Sequence, residues 1–107
     1  MRFREISMKN GKITQKDALM ILIKYRPNIS YHKIRKELPL NYKKDLDNTF
    51  AKIIEQELVY ESSSTECYAR YKLTEKGENI VKKRYAELKE KALNDLTDLV
   101  CAFGDVN

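Results

Sequence analysis

Apolar positions recur along the chain in helical, then alternating, then helical rhythm. Ala18, Ile21, Leu22 and Tyr25 follow helical spacing, and Leu19 and Ile23 widen the stripe. A helix this apolar is expected to lie at the centre of the core. Thr14, with Asp17 three positions on, forms a capping-box start with Asp in place of the usual Glu. Arg26-Pro27-Asn28 stops the helix, since proline lacks a donor and disfavours helical backbone before it. Ile29 is placed to add one short pairing to a later hairpin.

A second helix is predicted from the Ser30 cap to Glu37. Tyr31, Ile34 and Leu38 face inward, with His32, Lys33, Arg35 and Lys36 on the other side. Pro39 ends it, and Leu40 is expected to tuck the turn into the core. A third helix is predicted over Asn41–Gln56, capped by Asn41. Its apolar face is Leu46, Phe50, Ile53 and Ile54, continued by Leu58. Its opposite face holds Lys43, Lys44, Asp47, Asn48, Ala51, Lys52 and Glu55.

The rhythm then changes to two. Leu58–Glu61 is rich in strand formers, Ser62–Thr65 is a polar tip, and Cys67–Leu73 returns as a strand. Tyr68, Arg70 and Lys72 share one face, and Ala69, Tyr71 and Leu73 the other. From the Thr74 cap a single helix is predicted to about Ala102, ended by Gly104. Val81, Tyr85, Leu88, Ala92, Leu96, Leu99 and Phe103 form its stripe, widened by Leu93 and Val100. At 1.5 Å per residue such a helix is roughly 43 Å long, more than a small domain covers. Its second half is expected to pair, as a coiled coil, with the same helix of another subunit in a two-fold homodimer. The alternative is a helix folded back on its own domain.

Charge sharpens this layout. The net charge is +5, but it is unevenly placed. Over His32–Lys44 five cations face Glu37 alone, a net of +4, whereas Asp45–Tyr60 carries a net of −3. The positive excess therefore points helix two and the start of helix three at a polyanion. A solvated charged face is the competing reading. Met1–Lys12 is a second basic stretch, with Arg2, Arg4, Lys9 and Lys12 against Glu5. Phe3, Ile6 and Met8 are its possible anchors, and it reads either as a frayed terminus or as an arm on phosphates or on a partner subunit.

Composition limits the chemistry. With 107 residues, 42% hydrophobic and 35% charged, the chain suits one globular core rather than a deep enzymatic cleft. His32 has no Ser, Cys or carboxylate at a meaningful spacing, and there is no glycine-rich phosphate loop, so no enzyme is expected. Cys67, Cys101 and His32 are too few for zinc, so neither metal nor cofactor is expected. The N-terminus does not read as a signal peptide, and the longest apolar run, Ala18–Ile23, is far short of a membrane span. The expectation is a cytoplasmic protein without membrane contact, nucleoid-associated when bound, with cysteines reduced. Cys67, at the hairpin, also raises a redox-sensing reading.

Two helices joined by a brief turn, the second opening on basic and hydrogen-bonding residues, form the layout of a helix-turn-helix. The order helix, helix, helix, strand, loop, strand, followed by Tyr71-Lys72-Leu73-Thr74-Glu75-Lys76-Gly77, resembles the winged-helix regulators, in which such a phrase closes the wing and opens the next helix. The likeness covers roughly Thr14 to Leu88. It looks most like small dimeric archaeal and viral winged-helix proteins and MarR- and PadR-type regulators, without the extra N-terminal helix of a full MarR-like chain. It implies a mainly α fold with a small β-hairpin wing: residues 1–13 an arm, 14–77 the DNA-binding domain and 78–107 a dimerisation helix. By similarity Asn41–Gln56 is the recognition helix and Ser62–Glu66 the wing tip. The wing departs from the pattern in being near neutral, because Glu61 and Glu66 offset Arg70 and Lys72.

The expected function is sequence-specific binding of double-stranded DNA by a homodimeric transcriptional regulator. Asn41, Tyr42, Lys43, Lys44 and Asn48 would read bases or hold phosphates, and Asp47 would accept from a cytosine amino group. Lys33, Arg35 and Lys36 would fix register on the backbone. Tyr31, His32, Lys52, Ser63, Ser64 and Arg70 complete the candidate surface. Val81, Tyr85, Leu88, Ala92, Leu96, Leu99, Val100 and Phe103 form the candidate dimer contact. Two alternatives stay open: a non-specific architectural, chromatin-like DNA binder, and a winged helix that recognises an acidic protein.

Overall fold

A computed structural model describes residues 13–64 and 69–103, with the backbone alone at Ser64. The expectations placed on the Met1–Lys12 arm, on Thr65–Tyr68 with Cys67, and on Gly104 lie outside the described residues. The described chain is mainly helical, with a small three-stranded antiparallel sheet. Its elements are α1 (Gln15–Tyr25), β1 (Ile29–Ser30), α2 (Tyr31–Glu37), a 3-10 turn (Leu40–Tyr42), α3 (Leu46–Glu55), β2 (Val59–Ser64), β3 (Ala69–Leu73), α4 (Glu75–Lys91) and α5 (Leu93–Ala102).

The helix starts follow local chemistry closely. Thr14 and Asp17 form the full reciprocal capping box at α1, the Asp17 amide donating to Thr14 Oγ1 at 3.0 Å and the Thr14 amide to Asp17 Oδ2 at 3.1 Å. Ser30 caps α2 by accepting from the Lys33 amide, and Thr74 caps α4 by accepting from the Gly77 amide. Ala18 to Ile23 are all buried, so α1 is the central helix of the core. Arg84 of α4 is tied to it by an ion pair to Asp17 at 3.0 Å. Tyr25, expected in the same stripe, is 47% exposed at the helix end.

The sheet order is β1-β3-β2, with Ile29 opposite Tyr71 and Val59 opposite Leu73. Ile29 thus adds the short pairing expected of it. The serines expected as a tip are still in strand β2 at Ser62–Ser64, carried there across a register shift between Glu61 and Ser63.

Asn28, in left-handed backbone at φ 70°, makes the turn into β1. Its side chain accepts from the Ser62 hydroxyl, and its amide donates to Tyr71 O at 3.0 Å.

Other expectations are corrected. The third helix does not begin at Asn41. Leu40–Tyr42 form a 3-10 turn, Lys43 leaves helical geometry, and α3 starts at Leu46, with Asp45 at the cap making no side-chain cap bond. Asn41 therefore caps nothing in α3. Leu40 is not tucked in but 78% exposed, and Ile54 is 43% exposed, because the core contact of α3 is completed by Leu46, Phe50 and Ile53.

The largest correction is at the C-terminal end. The single long helix is broken at Ala92, with φ −145° and ψ 46°, into α4 and α5. The chain turns back so that Leu88, Leu96, Leu99 and Phe103 join the core around α1. Phe103 is fully buried, meets Tyr25 edge-on with ring centroids 6.0 Å apart, and its carbonyl accepts from Arg26 Nη2 at 2.6 Å. Arg26 Nε also lies 2.7 Å from Glu37 Oε1, tying the end of α5 to the end of α2. Burial of this stripe inside the chain removes the reason for seeking a second subunit to cover it. Leu93, at the bend, is 54% exposed instead of widening the stripe.

The phrase Leu73–Gly77 now has a physical basis. The Leu58 carbonyl accepts from the Thr74 amide at 2.9 Å, and a Cβ on Gly77 would sit 2.1 Å from that same oxygen. Only glycine lets α4 begin so close to the end of α3. Thr74 Oγ1 adds a bond to Glu57 O at 2.7 Å. Glu57, at φ 64°, ends α3 in the left-handed position usually given to glycine. Its amide donates to Ile54 O, and that of Leu58 to Ile53 O, which together make a Schellman closure.

Candidate functional site

The site begins with the break that Pro39 imposes. Leu38, ahead of the proline, is extended at ψ 131°, so α2 ends and the chain swings through the 3-10 turn into α3. Leu38 and Ile34 anchor α2, and Leu46 and Phe50 anchor α3. The Tyr31 ring lies edge-on to Phe50 with centroids 5.2 Å apart, and Phe50 lies edge-on to Tyr71 at 4.7 Å. This aromatic row fixes α2, α3 and the sheet in one arrangement.

On the outside, His32, Lys33, Arg35 and Lys36 of α2 are exposed, as are Lys44, Asp47, Asn48 and Lys52 in and before α3. Arg35, Lys43, Lys44, Asp45, Leu46 and Asp47 line an open concavity of about 250 Å3. The start of α3 lies in it, and its first amides have no side-chain cap, which suits them to an anionic oxygen.

Both carboxylates there have neutral donors. Asp47 Oδ1 accepts from the Tyr31 hydroxyl, and Asp45 accepts from Asn48 Nδ2 at 3.1 Å. Lys36, Lys44 and Lys52 form no ion pair with any described residue, and Lys33 meets Glu37 only at 3.9 Å. Burial, then the hydrogen bond and charge of Asp47, holds the Tyr31 phenol above its ordinary pKa despite the opposing guanidinium of Arg35.

Several expected residues are placed differently. Lys43 is half-buried and donates from Nζ to Arg35 O at 2.5 Å, so it braces the turn between α2 and α3. Tyr42 packs against the core. Burial and then Asp95, Asp17 and Asp98 raise its phenol pKa, and such an acidic setting does not suit a phosphate. Asn41 lies exposed in the 3-10 turn. On the hairpin, Ser63 is exposed, and Arg70 is half-buried, donating to Asn28 O at 3.2 Å. Ser64 is described by its backbone alone.

The Tyr31–Asp47 bond spans two helices and 16 positions, and neither residue's neighbours in sequence signal it. The exposure of Leu40 beside the basic turn is equally hidden, since an apolar residue after a proline reads as core.

Of the candidate dimer residues, Val81, Leu88, Leu96, Leu99 and Phe103 are core, and Tyr85, Ala92 and Val100 pack against it. Among the described residues no group of three or more His, Cys, Asp or Glu is placed to hold a metal ion. No described helix is long and apolar enough to cross a membrane. Cys101 is a free, exposed thiol. Comparison with known proteins finds no match among family models, curated proteins or solved structures.

Proposed function

We propose that this chain is a winged helix-turn-helix protein that binds double-stranded DNA sequence-specifically as a transcriptional regulator. In this reading α3 enters the major groove and the β2–β3 hairpin is the wing. The observation that carries it is the placement of cations. Arg35 on α2 and Lys44 ahead of α3 line a concavity at the uncapped α3 start, Lys33 and Lys36 are exposed on the same helix as Arg35, and the two carboxylates in the concavity accept from Tyr31 and Asn48. Such an arrangement suits backbone phosphates. The exposed face of α3, with Asn48, Ala51 and Lys52, is left for base edges. Tyr42 and Lys43 are removed from the assigned surface because of their packing and bonding.

The test is an anisotropy titration on DNA selected in vitro, run at several salt concentrations. The double variant Lys36→Ala/Lys44→Ala is expected to bind more weakly at every salt. The slope of log affinity against log salt should fall by about 0.9 for each phosphate no longer neutralised. Undiminished binding by a folded double variant removes the assigned surface.

Discrete footprints support a regulator, and uniform coverage supports the architectural alternative. The absence of DNA affinity even at about 50 mM salt favours an acidic protein partner. No dimer contact is assigned to the terminal helices, whose stripe is internal, and sedimentation of the DNA complex reads the number of copies bound.

A further inference from the structure

The opening turn of α3 carries two exposed side chains, Asp47 and Asn48, whose hydrogen-bonding ends are already set. Asp47 Oδ1 accepts from the Tyr31 hydroxyl of α2. Tyr31 is itself fixed, its ring edge-on to Phe50 at 5.2 Å and the Arg35 guanidinium beside its hydroxyl. Asp47 Oδ2 has no hydrogen-bond partner among the described residues. Asn48 is held from the other side, its Nδ2 lying 3.1 Å from Asp45 Oδ1 and 3.4 Å from Oδ2. A carboxylate only accepts, so the Asn48 amide gives Asp45 its N–H side and leaves Oδ1 turned away. Asp45 is pinned in turn, its backbone amide donating to Gln15 Oε1 of α1 at 3.2 Å. Arg35, Lys43 and Lys44 line the same concavity, yet neither carboxylate forms an ion pair with a described residue.

The turn therefore offers a pair of acceptors edged by cations. In the major groove guanine presents only acceptors, and thymine an acceptor and a methyl group. Adenine presents an amino group beside an acceptor, and cytosine an amino group alone. Facing acceptors repel, so a carboxylate oxygen favours cytosine, and a neutral amide oxygen accepts from cytosine or adenine alike. On the DNA reading above, we propose that α3 recognises a step of two amino-bearing bases, cytosine at Asp47 and adenine or cytosine at Asn48, with Tyr31 the positioning residue for Asp47. Lys36 and Lys44 then hold DNA of any sequence, and the acceptor pair rejects the wrong one by repulsion. Asp47 weakens binding to every duplex, because it brings negative charge to the phosphates, and recovers that loss only opposite cytosine.

The experiment is anisotropy titration of the intact chain on a duplex selected in vitro, and on versions in which each C·G pair in turn becomes T·A. At one cytosine the change is expected to weaken wild-type binding about tenfold. Asp47→Ala should lose that preference and bind the T·A version more tightly than the wild type does. Asn48→Ala should relax the choice at the adjoining pair alone. Tyr31→Phe should reduce the cytosine preference to roughly threefold while leaving the salt slope, and so the phosphate contacts, unchanged. Selective binding whose salt slope falls in Lys36→Ala/Lys44→Ala, but whose base preference is unmoved by Asp47→Ala, overturns this inference alone. A cytosine preference that Tyr31→Phe leaves whole overturns the positioning role. No saturable binding of the wild type to any duplex at about 50 mM salt overturns the DNA reading with it.

Discussion

The pair α2–α3 and the pair α4–α5 are each two helices joined by a short break, and the breaks serve opposite ends. Between α2 and α3 the break is written in covalent chemistry. Pro39 forces Leu38 into extended backbone, and the chain emerges with its cations and Leu40 in solvent. Between α4 and α5 the break at Ala92 has neither proline nor glycine behind it. It forms because Leu96, Leu99 and Phe103 reach the core only if the helix turns back. The first pair presents a surface, and the second closes one.

The sharpest way to break this comparison is Phe103→Ala. A fully buried ring should cost about 3–5 kcal/mol when truncated. A straight, solvent-facing helix would lose almost nothing, so urea unfolding separates the two arrangements. Gly77→Ala comes next. Its Cβ would strike the Leu58 carbonyl at 2.1 Å, and the shift required is expected to cost about 2–3 kcal/mol, read from the same curves. A loss near zero would mean that α4 does not start against the end of α3.

On the open pair the effects should be smaller. Tyr31→Phe removes the hydroxyl that Asp47 accepts from and is expected to cost about 1 kcal/mol near neutral pH. The sign of its pH dependence follows from the raised phenol pKa. The fold favours the protonated hydroxyl, so the associated stability is present below the ordinary value of 10.0 and is lost as pH rises through the folded value. Tyr42 and Tyr71 are raised chiefly by burial and add to the same alkaline loss. Tyr31→Phe should therefore flatten, without abolishing, the fall in stability above pH 10, followed by thermal melts. An unaltered profile would place the Tyr31 hydroxyl away from Asp47.

Glu57→Gly has the smallest and opposite effect. Relief of left-handed backbone at φ 64° is expected to stabilise by about 0.5–1 kcal/mol. A destabilised variant would show that the Glu57 side chain contributes more than its backbone strain costs.

Capping is readable from the sequence because it is local. Thr14 with Asp17, Ser30 and Thr74 each marks a helix start within four residues, and all three form the expected bonds. The inward row Ile34, Leu38, Leu46, Phe50 and Ile53 is equally legible, since helical spacing and burial agree there. The start of the third helix is not, because Asn41 makes a plausible cap, whereas Tyr42 finds a place against the core that holds the 3-10 turn. The basic stretch is visible as charge, but which cations remain open is not. Lys43 bends back to Arg35 O, and the carboxylate of Asp47 is held by a tyrosine on another helix.

The sequence by itself determined where most helices begin, that Pro27 and Pro39 interrupt them, and that positive charge gathers before α3. Each depends on backbone chemistry or on neighbours a few residues apart. The tertiary structure alone decided that the last helix bends at Ala92 and that its apolar stripe joins the chain's own core. A helical stripe specifies that something must cover it. What covers it depends on which apolar surface the rest of the chain brings within reach.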